Sequence, residues 1–413
     1  MTGKVELGFV EKAECPEELT SPYFPSKVGG RPAWLDPTHL PTSEQTACRV
    51  CGLPRTFLLQ VYAPLEDTPS AFHRTFFLFM CLNPSCHQKN SAHGFSVFRC
   101  QLPKTNSFYE DSGEESSGDE SASIGSESTG ATSEPRVDIF STQTCFSPSQ
   151  PEAVDGSTAV SESLKQGPST VVAEPTPLCV VCGSAGPKKC SRCRTVHYCS
   201  RHHQTLDWRN GHKLFCSDLA GGRCKQQDVT YDPSYRVCLP EFLLVMEEEP
   251  AAAMEEEEGV DRGEEDRMRD YHKFVKSGKY HDHDASRSGK KRVESVMEKA
   301  ESGTMSDKVF RAFRRRVSFE PEQVIRYRRG GVPLLVSRDG APQAADIPPC
   351  LCGAKRQFEF QVMPQLLYYL KLDTVSEASV DWGTVLIYTC STSCFSTGCC
   401  VEFAWKQDFS ASK

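Results

Sequence analysis

Apolar positions along this chain gather into three blocks, about residues 5–104, 178–245 and 306–409, and thin out between them. In the first block Phe57-Leu-Leu-Gln-Val-Tyr62 follows a Cys-x-x-Cys knuckle, and Arg74-Thr-Phe-Phe-Leu-Phe-Met80 runs into Cys81. In the last, Phe358-Glu-Phe-Gln-Val-Met363 alternates after Cys352, and Thr384-Val-Leu-Ile-Tyr388 leads to Cys390. β-Branched and aromatic runs bounded by Gly and Pro predict strands. Ser306 reads as an N-cap, after which Val309, Phe310, Phe313 and Val317 share one helical face. The Arg side of that helix is expected to face solvent or a partner. Residues 105–177, rich in Ser, Glu, Gly, Thr and Pro, cannot bury enough apolar surface to offset ordering and are predicted disordered. Residues 247–305 are charged and apolar-poor, so mostly disordered or loosely helical.

Residues 29–62 are echoed without a gap by residues 330–363. Ten positions are identical at a constant offset of 301, among them Gly29/Gly330, Cys51/Cys352, Gly52/Gly353, Arg55/Arg356, Phe57/Phe358 and Gln60/Gln361. Ordinary residue frequencies give roughly two such matches by chance. The expected fold is therefore mainly β with small α content. Two duplicated, β-rich, zinc-ribbon-like halves form one body, with an inserted zinc finger and disordered acidic linkers. The expected boundaries are 5–104 and 306–409 for the halves, 178–217 for a finger, 105–177 for an acidic linker and 218–305 for a second linker. The finger is expected to be a tethered accessory. The repeated Arg55 and Arg356 read as structural residues, each paired with a carboxylate.

Cysteine content changes this picture most. Of 413 residues, 21 are cysteine. No apolar h-region opens the chain and no apolar run approaches the roughly 18 residues needed to span a bilayer. A reducing compartment is expected, where paired cysteines read as metal ligands. Between the halves stand Cys179, Cys182, Cys190, Cys193, Cys199, His203, His212 and Cys216. Eight sulfur or imidazole donors suffice for two tetrahedral zinc ions, and so short a segment would draw its folding energy from the metal. His202 competes with His203. In the halves, Cys48, Cys51, Cys81 and Cys86, and likewise Cys350, Cys352, Cys390 and Cys394, give two knuckles joined by a hairpin, with one further zinc ion expected in each. Buried apolar cysteine is the alternative, and Cys399 or Cys400 could replace a ligand. The net charge of −8 is segregated: residues 105–177 carry 13 acidic side chains against two basic ones.

The central cluster and its tail, Tyr198-Cys-Ser-Arg-His-His-Gln-Thr-Leu-Asp-Trp208-Arg-Asn-Gly-His212-Lys-Leu-Phe-Cys216, resemble the MYND zinc finger. The resemblance implies interleaved sites, Cys179, Cys182, Cys199 and His203 on one ion and Cys190, Cys193, His212 and Cys216 on the other. It also implies that Gln204 and Trp208 line a groove for proline-containing peptides; core packing is the alternative for Trp208. Val5-Glu-Leu-Gly-Phe9, the box from Phe24 to Trp34, Asp346-Ile-Pro-Pro-Cys-x-Cys-Gly353 and Phe403-Ala-Trp-Lys-Gln-Asp408 look like the programmed cell death protein 2 family. That likeness implies a non-enzymatic chaperone for a newly made, basic small-subunit ribosomal protein, supporting small-subunit maturation in cytoplasm and nucleus. Electrostatic complementarity would speed such capture. The alternative is a finger-based adaptor that binds proline-rich peptides or corepressors in transcription, apoptosis or proliferation. Methyltransferase activity is disfavoured because Asn83-Pro-Ser-Cys86 lacks the His of the SET-domain segment. Sequence-specific DNA binding is disfavoured by charge and by the lack of a base-reading helix. Arg315-Arg-Val-Ser318 resembles a basophilic kinase site, and His281-Asp-His-Asp284 reads as a solvated run.

Overall fold

A computed structural model describes residues 4–109, 174–224, 238–250, 308–373 and 379–409. Most of the two stretches predicted disordered, together with Ser306 and His281–Asp284, lies outside the described residues. The strands are β1 (Glu6–Glu11), β2 (Lys27–Val28), β3 (Thr56–Tyr62), β4 (His73–Met80), β5 (Phe95–Leu102), β6 (Lys188–Lys189), β7 (His197–Tyr198), β8 (Phe242–Glu248), β9 (Ile325–Tyr327), β10 (Arg356–Val362), β11 (Thr384–Cys390) and β12 (Cys399–Gln407). Ten of them close into one barrel in the order β1-β8-β2-β3-β4-β5-β12-β11-β10-β9. Every pairing is antiparallel, and β9 returns to β1 through Leu7↔Arg326 and Gly8↔Ile325.

The two halves thus share one sheet. The first supplies β1 to β5 and the second β9 to β12; they join where β5 meets β12, with Cys100 opposite Cys399. On the far side β1 and β8 close the gap. Strand β8 corrects the expected 218–305 linker: Phe242-Leu-Leu-Val-Met precedes the acidic run, and Leu244 points into the core. A one-sided strand of five apolar residues beside Glu247–Glu249 gives no distinct periodic signal.

Strand β4 sits between two apolar layers. All eight residues of β4 are buried. Phe76, Leu78 and Met80 face the barrel core with Phe360, Trp382 and Ile387, whereas Phe77 and Phe79 face outward against Trp34, Phe57 and Phe98. Covering both faces explains why β4 reads as a continuous apolar run rather than an alternation.

Side chains at the constant offset do the same work in each half. Gln60 accepts from Ala33 N (2.9 Å) and donates to Ala33 O (3.3 Å). Gln361 accepts from Leu334 N (2.7 Å) and donates to Leu334 O (2.9 Å), 301 residues on. Register shifts interrupt β3 between Phe57 and Leu59 and β10 between Phe358 and Phe360. Arg55 donates to Ala47 O and Arg356 to Pro348 O, again 301 apart. Arg356 also meets Glu402 (3.0 Å), whereas Arg55 reaches the His93 carbonyl, so among the described residues the expected carboxylate stands beside Arg356 and not Arg55.

Helix α4 (Lys308–Val317; α1, Ser43–Thr46, and the finger helices α2, Arg201–Asp207, and α3, Lys213–Ala220, precede it) presents Phe310, Phe313 and Val317 to Val336 and Met363. Its Arg side is not wholly free: Arg316 donates twice to Glu249 at 2.7 Å, and Arg326 shares that carboxylate.

Candidate metal centres

Four groups of ligand atoms converge, each within 4.8 Å: Cys48, Cys51, Cys81 and Cys86; Cys179, Cys182, Cys199 and His203; Cys190, Cys193, His212 and Cys216; Cys350, Cys352, Cys390 and Cys394. In the finger, Ser200 caps α2 by accepting from His203 N (3.1 Å) and thereby aims His203 inward. His203 Nδ1 lies 3.6 Å from Cys179 Sγ and 3.1 Å from Cys199 Sγ, with Cys182 and Cys199 3.7 Å apart. His202, the competing ligand, is exposed. In the second group Cys190 and Cys216 are 3.8 Å apart, and His212 Nε2 stands 3.6 Å from Cys193 and 3.3 Å from Cys190. Tetrahedral zinc with its usual bond lengths spaces sulfur from sulfur by about 3.7 Å and sulfur from imidazole nitrogen by about 3.5 Å. The donors fit zinc.

The clusters in the halves have the same spacing. Cys51 and Cys81 are 3.7 Å apart, Cys350 and Cys394 3.6 Å, and Cys352 and Cys390 3.6 Å. Gly52 (φ 72°) and Gly353 (φ 87°) close their knuckles in the left-handed region that glycine enters without strain. Cys399 and Cys400 take no part, since β12 places Cys399 against Cys100. Cys81 N donates to Gly94 O at the start of β5, while Arg99 and Cys394 O meet near the start of β12. Because β5 and β12 run antiparallel, the two clusters staple opposite rims of the barrel.

Each cluster holds one thiol ready to ionise. Burial opposes ionisation of Cys48, yet the Cys51 and Val50 amides bring it down to about 7. Burial likewise opposes Cys190 and Cys390, and amides of Cys193 and Cys394 bring both to about 6. The hydrogen-bonding thiols of Cys182 and Cys199 hold Cys179 far below the usual thiol range. Their neighbours go the other way: burial pushes Cys86 up to about 11 and Cys216 up to about 12. Three or four crowded thiols cannot all ionise without a cation among them, which is what a divalent metal supplies.

The finger is docked rather than merely tethered, which corrects the expectation. Trp34 Nε1 donates to Gly183 O (2.8 Å), Arg31 donates to Val180 O, Cys238 Sγ donates to Val181 O (3.4 Å), and Thr176 N donates to Pro37 O (2.8 Å). Three of these acceptors belong to or adjoin the knuckle Cys179–Cys182. The signal was present in the repeat: Arg31 and Trp34 stand where the second copy has Val332 and Leu335. Gln204, on α2, and Trp208, in the π-turn Trp208–His212, are half-buried, and the indole packs against His212 with centroids 5.8 Å apart.

Comparison with known proteins places these features. Residues 4–116 match the programmed cell death protein 2 N-terminal domain, residues 179–216 the MYND finger, and residues 307–408 the programmed cell death protein 2 C-terminal domain. The chain is 40% identical to programmed cell death protein 2 of Bos taurus over 98% of its own length and 97% of the relative's. It is 25% identical to programmed cell death protein 2-like of Homo sapiens over 90% of its length and 85% of that protein's. A probable 20S rRNA accumulation protein 4 of Schizosaccharomyces pombe is 38% identical over 22% of this chain and 25% of its own. No solved structure matches.

Proposed function

This chain belongs to the programmed cell death protein 2 family, and from that premise we propose that it is a zinc-binding, non-enzymatic chaperone for a newly made, basic small-subunit ribosomal protein. The observation that carries the reading is the family likeness to a relative named for 20S rRNA accumulation, which points to ribosome biogenesis. The architecture is compatible with a carrier. A closed barrel stapled at both rims offers a rigid outer surface, and Glu6, Glu11, Glu247 and Glu248 stand exposed along β1 and β8, where a cationic client would be attracted. Four zinc ions fill the reading, one per cluster, two of them in the finger. The protein works in cytoplasm and nucleus; among the described residues no helix is long and apolar enough to cross a membrane.

Affinity purification of the tagged full-length protein with mass spectrometry tests this. A small-subunit ribosomal protein is expected among the most enriched partners, and its absence above background ends the chaperone reading. A second reading is an adaptor that captures proline-rich peptides or corepressors through Gln204 and the half-exposed Trp208. Because the finger is seated on Trp34, its deletion would also uncover the barrel, so Gln204→Ala is the cleaner probe. Client capture that survives Gln204→Ala while peptide binding is lost assigns the two activities to different surfaces.

A further inference from the structure

Charge on the finger is arranged unlike charge on the barrel. Buried or half-buried arginines of the barrel and α4, Arg74, Arg99, Arg316 and Arg326, each meet a carboxylate at 2.7 Å. Between Cys179 and Cys216 the sequence has seven Lys and Arg against one acidic residue, Asp207. That aspartate is buried and accepts from Tyr198 Oη (2.6 Å). Lys189, Arg192, Arg194, Arg209 and Lys213 are all exposed and, among the described residues, none is ion-paired.

The backbone of these five is gathered around one site, because the ligands they flank converge. Lys189 precedes Cys190, Arg192 and Arg194 bracket Cys193, Lys213 follows His212, and Arg209 lies three residues before it. The ligand atoms of that cluster sit within 4.8 Å of one another. Three thiolates and a neutral imidazole around a divalent zinc carry a single negative charge, leaving a local surplus of roughly four positive charges. The docking hydrogen bonds on the barrel use the other knuckle. Half-exposed Trp208 adjoins Arg209 and adds an aromatic ring there.

We propose that the rim of the second zinc cluster binds single-stranded RNA through its phosphodiester backbone, without base selectivity. Three of the five cations are arginines, whose planar forks match phosphate oxygens. An aromatic ring beside such a cationic rim stacks bases and adds nothing to the capture of an acidic peptide. The site lies on the finger and stands whether or not the barrel carries a ribosomal protein.

The test is fluorescence anisotropy of a labelled 20-nucleotide oligo-uridine with the full-length, zinc-loaded protein. Five phosphate contacts predict a log–log salt slope of about −3.5, which is about a 100-fold loss of affinity from 50 to 200 mM salt. Arg192→Ala/Arg194→Ala/Arg209→Ala is expected to weaken binding at 50 mM salt and flatten the slope to about −1.4. Arg311→Ala/Arg315→Ala, on the exposed face of α4, leaves both unchanged. Zinc content equal to wild type verifies that the triple variant folds; if it falls, Arg209→Ala/Lys213→Ala replaces it, with a slope near −2.1 expected. No binding at 50 mM salt, or an affinity indifferent to the finger variants, overturns the proposal. So does poly-glutamate competing as well as RNA at equal charge, which would mark the face as a seat for acidic protein.

Discussion

Trp34 joins two modules with one side chain. Its ring packs on Phe77 with centroids 4.5 Å apart and is 3% exposed, and its N–H leaves that core to reach Gly183 O in the finger. Trp34→Phe keeps most of the packing and strands the carbonyl, a loss of about 1–3 kcal/mol from docking. Hydrogen exchange of residues 179–186 should quicken by about tenfold or more, with the barrel midpoint little changed; unchanged exchange would mean that the indole contact holds nothing. At the repeat-related position Leu335 cannot donate, so the same contact cannot form on the second half. The histidine pair teaches a related lesson. Sequence placed both His202 and His203 in reach of a ligand position, but only the helix begun at Ser200 decides which ring turns inward, because adjacent residues on a helix point about 100° apart.

At the scale of elements, the knuckles were legible because their requirement is local: paired cysteines at short spacing and a glycine for the left-handed turn. Strand β8 was not, because its stability comes from β1 and β2 on either side rather than from its own pattern. The knuckles also differ in shelter. All eight finger ligands and three of four in the first half are buried, whereas Cys352 is exposed and Cys394 half-buried. A chelator with a metallochromic indicator should therefore release about four zinc ions per chain in at least two phases, the fast one from the Cys350–Cys394 cluster. Cys352→Ser should abolish the fast phase alone. Release of two ions in total would show that the half-domain thiols hold no metal.

At the scale of the whole molecule, Arg74 on β4 and Glu359 on β10 form a fully buried pair at 2.7 Å across the barrel, joined by Tyr327 (2.8 Å) and Thr389. Such a pair adds little over an apolar core, but removing Arg74 leaves the buried Glu359 to the more distant Arg329 at 3.6 Å. Arg74→Met should cost about 3–5 kcal/mol in urea unfolding, and Arg74→Met/Glu359→Gln should recover a measurable part; equal losses would place the cost in packing instead. The pair also marks where local pattern stops informing. Sequence alone determined the repeat, the cysteine knuckles with the strands beside them, and the family likeness that implied how the finger's ligands interleave, because cysteine spacing, glycine turns and apolar runs act over a few residues. Tertiary structure decided that two halves make one closed barrel rather than two ribbons, that β1 and β8 complete it, and that the finger is seated by Arg31 and Trp34. Those outcomes depend on pairing between segments hundreds of residues apart, and edge strands, buried charges and docking donors acquire their meaning only from the partner that the closed sheet brings to them.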